Sequence, residues 1–276
     1  MTTTPLAEDR PPAEGLSGDA VVAENLTKAF GGVQAVDGAS FSVPAGRICA
    51  LIGPNGAGKS TAVNILAGAL GADAGRVRLG DADITGWPAN RIAAAGLIRT
   101  FQLSREFGGL TVLENLMVTP RRQAGESLVN IYFRPGAIRK EERRHLARAL
   151  DILHTYGLHE LRDNRARELS GGQKRLLELA RSVMAEPRVL LLDEPMAGIN
   201  PALIDRIGEH ILGLRGEGVT ILMVEHNLNV VERICERVIV MAEGRTLAVG
   251  RMSELRDNPE VVRAYLGGAL SESTQG

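Results

Sequence analysis

The chain has 276 residues, 44% of them hydrophobic, which is enough for one large domain with its own buried core. With 32 Lys and Arg against 33 Asp and Glu the net charge is −1, so no overall basic field recommends nucleic acid or an anionic membrane as a partner. The two cysteines, Cys49 and Cys235, lie far apart without a CxxC or a histidine-rich companion, which argues against a disulfide or zinc framework and for a reduced interior.

Residues 1–20 scatter Pro5, Pro11 and Pro12 among Glu8, Asp9, Glu14 and Asp19 with no apolar period, and are expected to form a flexible lead-in. The start carries neither the basic nor the apolar region of a secretory signal, and no run in the chain approaches the roughly 20 apolar residues of a membrane span. The expectation is a protein neither secreted nor integral to a membrane. Short alternating runs at 21–30 and 39–43, set around Gly31, Gly32, Gly38 and Pro44-Ala45-Gly46, predict small antiparallel strands.

The texture then changes. RICALIG at 47–53 is a continuous apolar strand that feeds GPNGAGKST at 53–61, and residues 59–68 read as the helix behind it. The stretch GxxxxGK[ST] is a phosphate cradle. The backbone around Gly53, Asn55, Gly56 and Gly58 closes on phosphates, Lys59 reaches the outer ones, and Ser60, followed by Thr61, offers a hydroxyl to Mg²⁺. Binding of ATP or GTP follows.

A further apolar stretch, 96–101, ends at Gln102, whose amide could touch Mg²⁺ or an attacking water; a lone glutamine is more often a surface residue. From about 103 to 168 strand signals fade and helical spacing takes over, as at Leu146, Leu150 and Leu153, which predicts a helical insertion. Arg121, Arg122, Arg134, Arg139, Lys140, Arg143, Arg144 and Arg148 concentrate there, and the ordinary account of them is a solvated helix face.

Residues 169–173 read LSGGQ. Ser170 and Gln173 have capping-box spacing at the head of a helix over 174–184, and Gly171 and Gly172 leave its first N–H groups bare of side chains. Aligned peptide dipoles favour an anion there. Two phosphate-holding devices beside a single nucleotide motif suggest that the sites are shared between chains.

The apolar strands 189–192 and 219–224 end in Asp193-Glu194 and Glu225-His226. Unbroken apolar strands suit a parallel sheet covered on both faces, and ligands of open α/β sheets collect beyond the carboxyl ends of the strands. Asp193 is placed to hold Mg²⁺ opposite Ser60, and Glu194 to orient or deprotonate a water attacking a γ-phosphate. His226 could donate to a γ-phosphate oxygen, although a lone histidine is more often structural. Phe30 could stack on adenine or simply fill a strand core. The predicted fold class is α/β: a P-loop NTPase with a mostly parallel sheet, an N-terminal antiparallel subdomain and a helical insertion. It spans 21–268, with a flexible tail at 269–276.

In this order, Phe30, the loop at 53–60, Gln102, LSGGQ, LLLDEP at 190–195 and His226 resemble the ATPase subunits of ABC transporters over nearly the whole predicted domain. FGGVQAVDGASFSV at 30–43, IRTFQLSREFGGLTVLENLMV at 98–118, DEPMAGINP at 193–201 and NPEVVRAYLG at 258–267 resemble the branched-chain amino acid uptake subgroup.

The resemblance implies ATP and Mg²⁺ as cofactors, with Ser60, Gln102 and Asp193 at the metal. Glu194, Gln102 and His226 would act in hydrolysis. It also implies a head-to-tail dimer, in which Ser170, Gly171, Gly172 and Gln173 of one subunit close over ATP held by the other. The partners implied are that second ATPase subunit, two membrane-spanning permease subunits and, indirectly, an extracytoplasmic solute-binding protein, with no nucleic acid. The location implied is peripheral, on the cytoplasmic face of the plasma membrane, with residues after Gln102 up to 120 docking a short permease helix. Importers of urea or short amides resemble the same subgroup.

Asn200 and Asn227 depart from the family pattern, which carries Asp at both positions. A soluble ABC-type ATPase acting on DNA or ribosomes is the rival reading, but the chain has neither a long coiled-coil interruption nor a second P-loop. A GTPase would need NKxD, which is absent.

Overall fold

The computed structural model describes residues 18–100, 107–119 and 135–272. Four strands form an antiparallel sheet in the order β2-β1-β4-β5: β1 (Asp19–Phe30), β2 (Val33–Pro44), β4 (Ala74–Leu79) and β5 (Ala82–Asp83). Asp19 and Ala20, expected in the lead-in, belong to β1, where Ala20 is fully buried. The second strand begins at Val33, six residues ahead of the run that announced it, because its first residues are mostly exposed and show no alternation.

The second sheet has six strands in the order β10-β9-β3-β8-β7-β6. Its members are β3 (Ile48–Ile52), β6 (Leu97–Arg99), β7 (Val189–Asp193), β8 (Thr220–Val224), β9 (Arg237–Ala242) and β10 (Arg245–Gly250). All neighbours are parallel except the β9-β10 edge hairpin. Every residue of β3, β7 and β8 is buried, as their unbroken apolar runs require.

Alternation along these strands sends side chains to two cores. Ile48, Ala50, Ile52, Leu190, Leu192, Ile221 and Met223 face one core; Cys49, Leu51, Val189, Leu191, Leu222 and Val224 face the other. Helix α1 (Lys59–Leu66) packs on the second face together with the antiparallel sheet. The first face carries α5 (Gly171–Met184), α6 (Pro201–Gly216), α7 (Leu228–Ile234), α8 (Met252–Leu255) and the insertion. Each large aliphatic side chain so enclosed contributes roughly 1.5–3 kcal/mol relative to exposure. Cys49 is buried and Cys235 half-buried, both free; burial pushes the Cys49 thiol up to about 12, so it packs as a small hydrophobe.

The insertion is helical where described. Helix α3 (Val112–Met117) opens on a complete capping box between Thr111 and Glu114. It is fastened to the far end of the insertion by Val112 N–H to Asn164 O and by Ala166 N–H to Leu110 O, both 3.0 Å. Helix α4 (Pro135–Thr155) buries Ala149, Ile152 and Leu153, while Leu146, in the predicted apolar series, is exposed. Arg139, Lys140, Arg143 and Arg144 are exposed, and Arg148 reaches the Val183 carbonyl and the Glu186 carboxylate. Arg121, Arg122 and Arg134 lie outside the described residues. Helix α2 (Ala89–Ala95) precedes β6, and α9 (Pro259–Glu272) continues through residues expected in the tail.

Candidate nucleotide site

Three central strands, β3, β8 and β7, deliver their ends side by side, with Leu51 opposite Val224 and Val224 opposite Asp193. The loop after β3 is a backbone cradle. Gly53 (φ 150°), Gly56 (φ 76°) and Gly58 (φ 91°) are all in the positive-φ region. At Gly53 a Cβ would lie 2.1 Å from the Met241 carbonyl oxygen, and at Gly58 2.3 Å from that of Ala35, so the loop needs glycine for space as well as for conformation. Helix α1 starts directly behind, with no side-chain cap and no acid in its first turn, which leaves its amide groups to an anion.

Lys59, the first residue of α1, is 6% exposed and donates to the carbonyls of Gly53 and Pro54, both at 2.8 Å. Burial pulls its ammonium below the usual value, while the nearby Glu194 and Asp193 act in the opposite direction. The cation is thus buried between the glycine loop and two acids. Asn55 and Ser60 are exposed, and Ser60 and Thr61 stand in the first turn of α1.

Asp193 closes β7 with its side chain fully enclosed. Its Oδ2 accepts from Arg99 at 2.7 Å, and its Oδ1 is buried without a partner. A buried carboxylate oxygen without a partner is a hard-oxygen donor that fits Mg²⁺, and the exposed Ser60 hydroxyl is a donor of the same kind. Glu194 sits next in the left-handed region (φ 49°), with its N–H held by the Val224 carbonyl at 2.9 Å. Such a backbone strains a non-glycine residue by about 1–3 kcal/mol and turns the side chain out of the strand direction. Its Oε1 lies 3.1 Å from Nε2 of His226, so the two predicted hydrolytic residues are partners.

Glu225, a residue to which the sequence assigned no role, is buried at 4% exposure beside them. Burial first, and then the Glu194 carboxylate, raise its pKa to about 7. Arg99 was likewise missed. The signal for it was only its place three residues before Gln102.

Ser170 caps α5 as expected: its Oγ accepts from Gln173 N–H at 3.3 Å, and Gln173 Oε1 accepts from Ser170 N–H at 2.9 Å. Gly171 is exposed and open, and a Cβ at Gly172 would meet the Leu203 side chain at 2.4 Å. α5 and α1 pack on opposite faces of the sheet, so the starts of these two helices belong to different layers. Phe30 ends β1 at 49% exposure, with the Lys28 ammonium 5.7 Å from its ring centre. Gln102 lies outside the described residues, as do 103–106 and 120 of the predicted docking segment. Within its described part, Phe107 and Val118 are half exposed.

Asn200 and Asn227, the two departures from the family pattern, both serve as helix N-caps. Asn200 caps α6 by accepting from Leu203 N–H at 2.9 Å, and Asn227 caps α7 by accepting from Val230 N–H at 3.3 Å. Asn and Asp are near-equal N-caps, so the change removes a charge and keeps the cap.

The strand order, the glycine cradle with its buried lysine and the acids at the adjoining strand ends define a P-loop nucleotide hydrolase. The ABC transporter family model matches residues 36–197, and the chain belongs to that family as one of its ATP-binding cassette ATPases. It is 40% identical over 245 residues to the high-affinity branched-chain amino acid transport ATP-binding protein BraF of Pseudomonas aeruginosa, across 88% of this chain and 96% of that one. It is 39% identical to the corresponding LivG of Escherichia coli, with the same coverage. Among solved structures, a nucleotide-free ATP-binding cassette of an ABC transporter matches with a TM-score of 0.78 at 39% identity, covering 90% of this chain and 98% of that one. An ATP-binding cassette in its ADP conformation matches with 0.77 at 38%, covering 90% and 99%. Among the described residues no helix is long and apolar enough to cross a membrane.

Proposed function

We propose that this chain powers import of branched-chain amino acids, hydrolysing ATP with Mg²⁺ on the cytoplasmic face of the membrane beneath two permease subunits. The observation that carries the hydrolytic part is the convergence of buried Lys59, the open Oδ1 of Asp193 and the Glu194–His226 pair beyond three adjacent strands. Mg²⁺ would be held by Ser60, Asp193 and Gln102, and would neutralise charge developing on the transferred phosphoryl group. Lys59 and the loop amides bind and orient the phosphates, and Glu194 takes a proton from the attacking water. His226 holds that carboxylate and reaches the γ-phosphate, and Phe30 stacks on adenine.

The second nucleotide-facing surface is the Ser170, Gly171, Gly172 and Gln173 turn of a neighbouring ATPase subunit. Opposite-face placement of α1 and α5 supports completion in trans. The cargo assignment rests on the relatives' names, and a solute-binding protein would deliver that cargo from outside. Half-exposed Phe107 and Val118 offer an apolar seat for a permease helix.

A Glu194→Gln protein loaded with ATP and Mg²⁺ tests the shared site: it should sediment as a dimer and return to monomer when Gly172 is also changed to Glu. Copurification with two multi-span proteins tests the transport role, and recovery with nucleic acid instead would overturn it.

A further inference from the structure

Arg99 ends β6, the edge strand leading toward Gln102, in register with Leu191 of β7. Its guanidinium spans a gap between two other elements. One Nη donates to Asn64 Oδ1 on α1 at 2.5 Å and the other to Asp193 Oδ2 at 2.7 Å. The arginine side chain is 13% exposed and the aspartate 0%. The remaining oxygen of Asp193 and the Nε of Arg99 are both buried without partners. Arg99 thus occupies one oxygen of Asp193, and the other is enclosed without a partner.

The same residue also lines a cleft. A cleft of about 340 Å³ runs between the end of α1, helix α2, β6 and α5, and Arg99 lines it beside Ile98, Thr100, Thr119 and Arg181. One side chain thus touches the helix behind the phosphate loop, the acid at the metal position and the wall of this cleft.

We propose that Arg99 is a positioning residue: its planar fork fixes the rotamer of Asp193 against Asn64 and so sets the affinity for Mg²⁺, and it makes the cleft wall part of the metal site's support. The inference rests on the reading of this chain as a Mg²⁺-dependent ATPase. A guanidinium supplies donors on separate nitrogens in a fixed plane, whereas an ammonium offers its three from one nitrogen on a shorter stem and cannot hold Asn64 and Asp193 in that same fixed geometry. Partners that orient a ligating carboxylate typically change metal affinity by about 10–100-fold when removed. A competing effect has the opposite sign, because a cation beside the ligand repels Mg²⁺ and its loss would strengthen binding. Lysine separates the two, since it keeps the charge and loses the fork.

The test is equilibrium binding of a fluorescent ATP analogue to the full-length protein, first in EDTA and then against rising Mg²⁺, with thermal melts as a folding control. For Arg99→Lys and Arg99→Ala, binding in EDTA should match the wild type, while the Mg²⁺ concentration at half-effect rises about 10-fold. Asn64→Ala should move it the same way by less, and decides the matter if the Arg99 variants do not fold. An unchanged Mg²⁺ half-point overturns the proposal, as does a lowered one in Arg99→Ala with Arg99→Lys behaving like the wild type. If the wild-type protein bound the analogue in neither buffer, the ATPase reading itself would fail and this inference with it. Intact wild-type binding confines any negative result to Arg99.

Discussion

Nε2 of His226 and Oε1 of Glu194 stand 3.1 Å apart, joining the turn after β8 to the turn after β7. Glu194→Gln should lower kcat by roughly 100-fold or more while nucleotide still binds, since general-base groups contribute about 10²–10⁴. His226→Ala should cut kcat with little change in KM, because the imidazole acts on a carboxylate and a γ-phosphate oxygen rather than on the bulk of the nucleotide. Steady-state ATPase kinetics beside equilibrium nucleotide binding check both. A Glu194→Gln protein turning over at the native rate would refute the base assignment.

Two glycines of the loop should behave differently. At Gly53 a Cβ meets the Met241 carbonyl at 2.1 Å, and backbone cannot swing aside, so Gly53→Ala should be severely destabilised and lose nucleotide binding. At Gly56 nothing lies within 4 Å, so Gly56→Ala should cost only the strain of its left-handed backbone, about 1–2 kcal/mol. Chemical denaturation of the pair measures the difference.

The caps at Asn200 and Asn227 predict a graded series. Replacement by Ala should cost about 1 kcal/mol at each, and replacement by Asp should be nearly neutral for stability. Thermal melts read the first effect, and ATPase rates of the Asp variants read whether the missing charge matters to turnover.

Glu225 predicts a pH effect. Its folded pKa is raised to about 7 from 4.5, so between those values the native state holds a proton that the unfolded chain has released. Stability therefore falls as pH rises through that window, and the penalty is complete above it. Glu225→Gln removes the cost of a buried charge next to Glu194. It should melt higher than the wild type at pH 8, with the gain shrinking toward pH 5. Equal melting differences at both pH values would contradict the assignment.

Much of the fold was readable because it is written in local chemistry. Apolar runs without alternation announce β3, β7 and β8, and the glycines with Lys59 announce the loop between β3 and α1. Ser170 and Gln173 announce a helix start whose capping box is present in both directions. Less legible was β2, whose first two residues are exposed and whose first half carries no period, and Leu146, whose helical spacing did not tell which flank of α4 meets the core.

The order of residues along the chain was sufficient for the phosphate cradle, the α/β class and the acids at the strand ends, because each depends on neighbours a few positions away. Arg99 reaching Asn64 and Asp193, Glu225 sunk beside Glu194, and α1 and α5 divided between two faces of one sheet are relations across tens of residues. Such relations arise only when parallel strands from distant segments are laid side by side, since burial and charge proximity are properties of packed space and have no local signature.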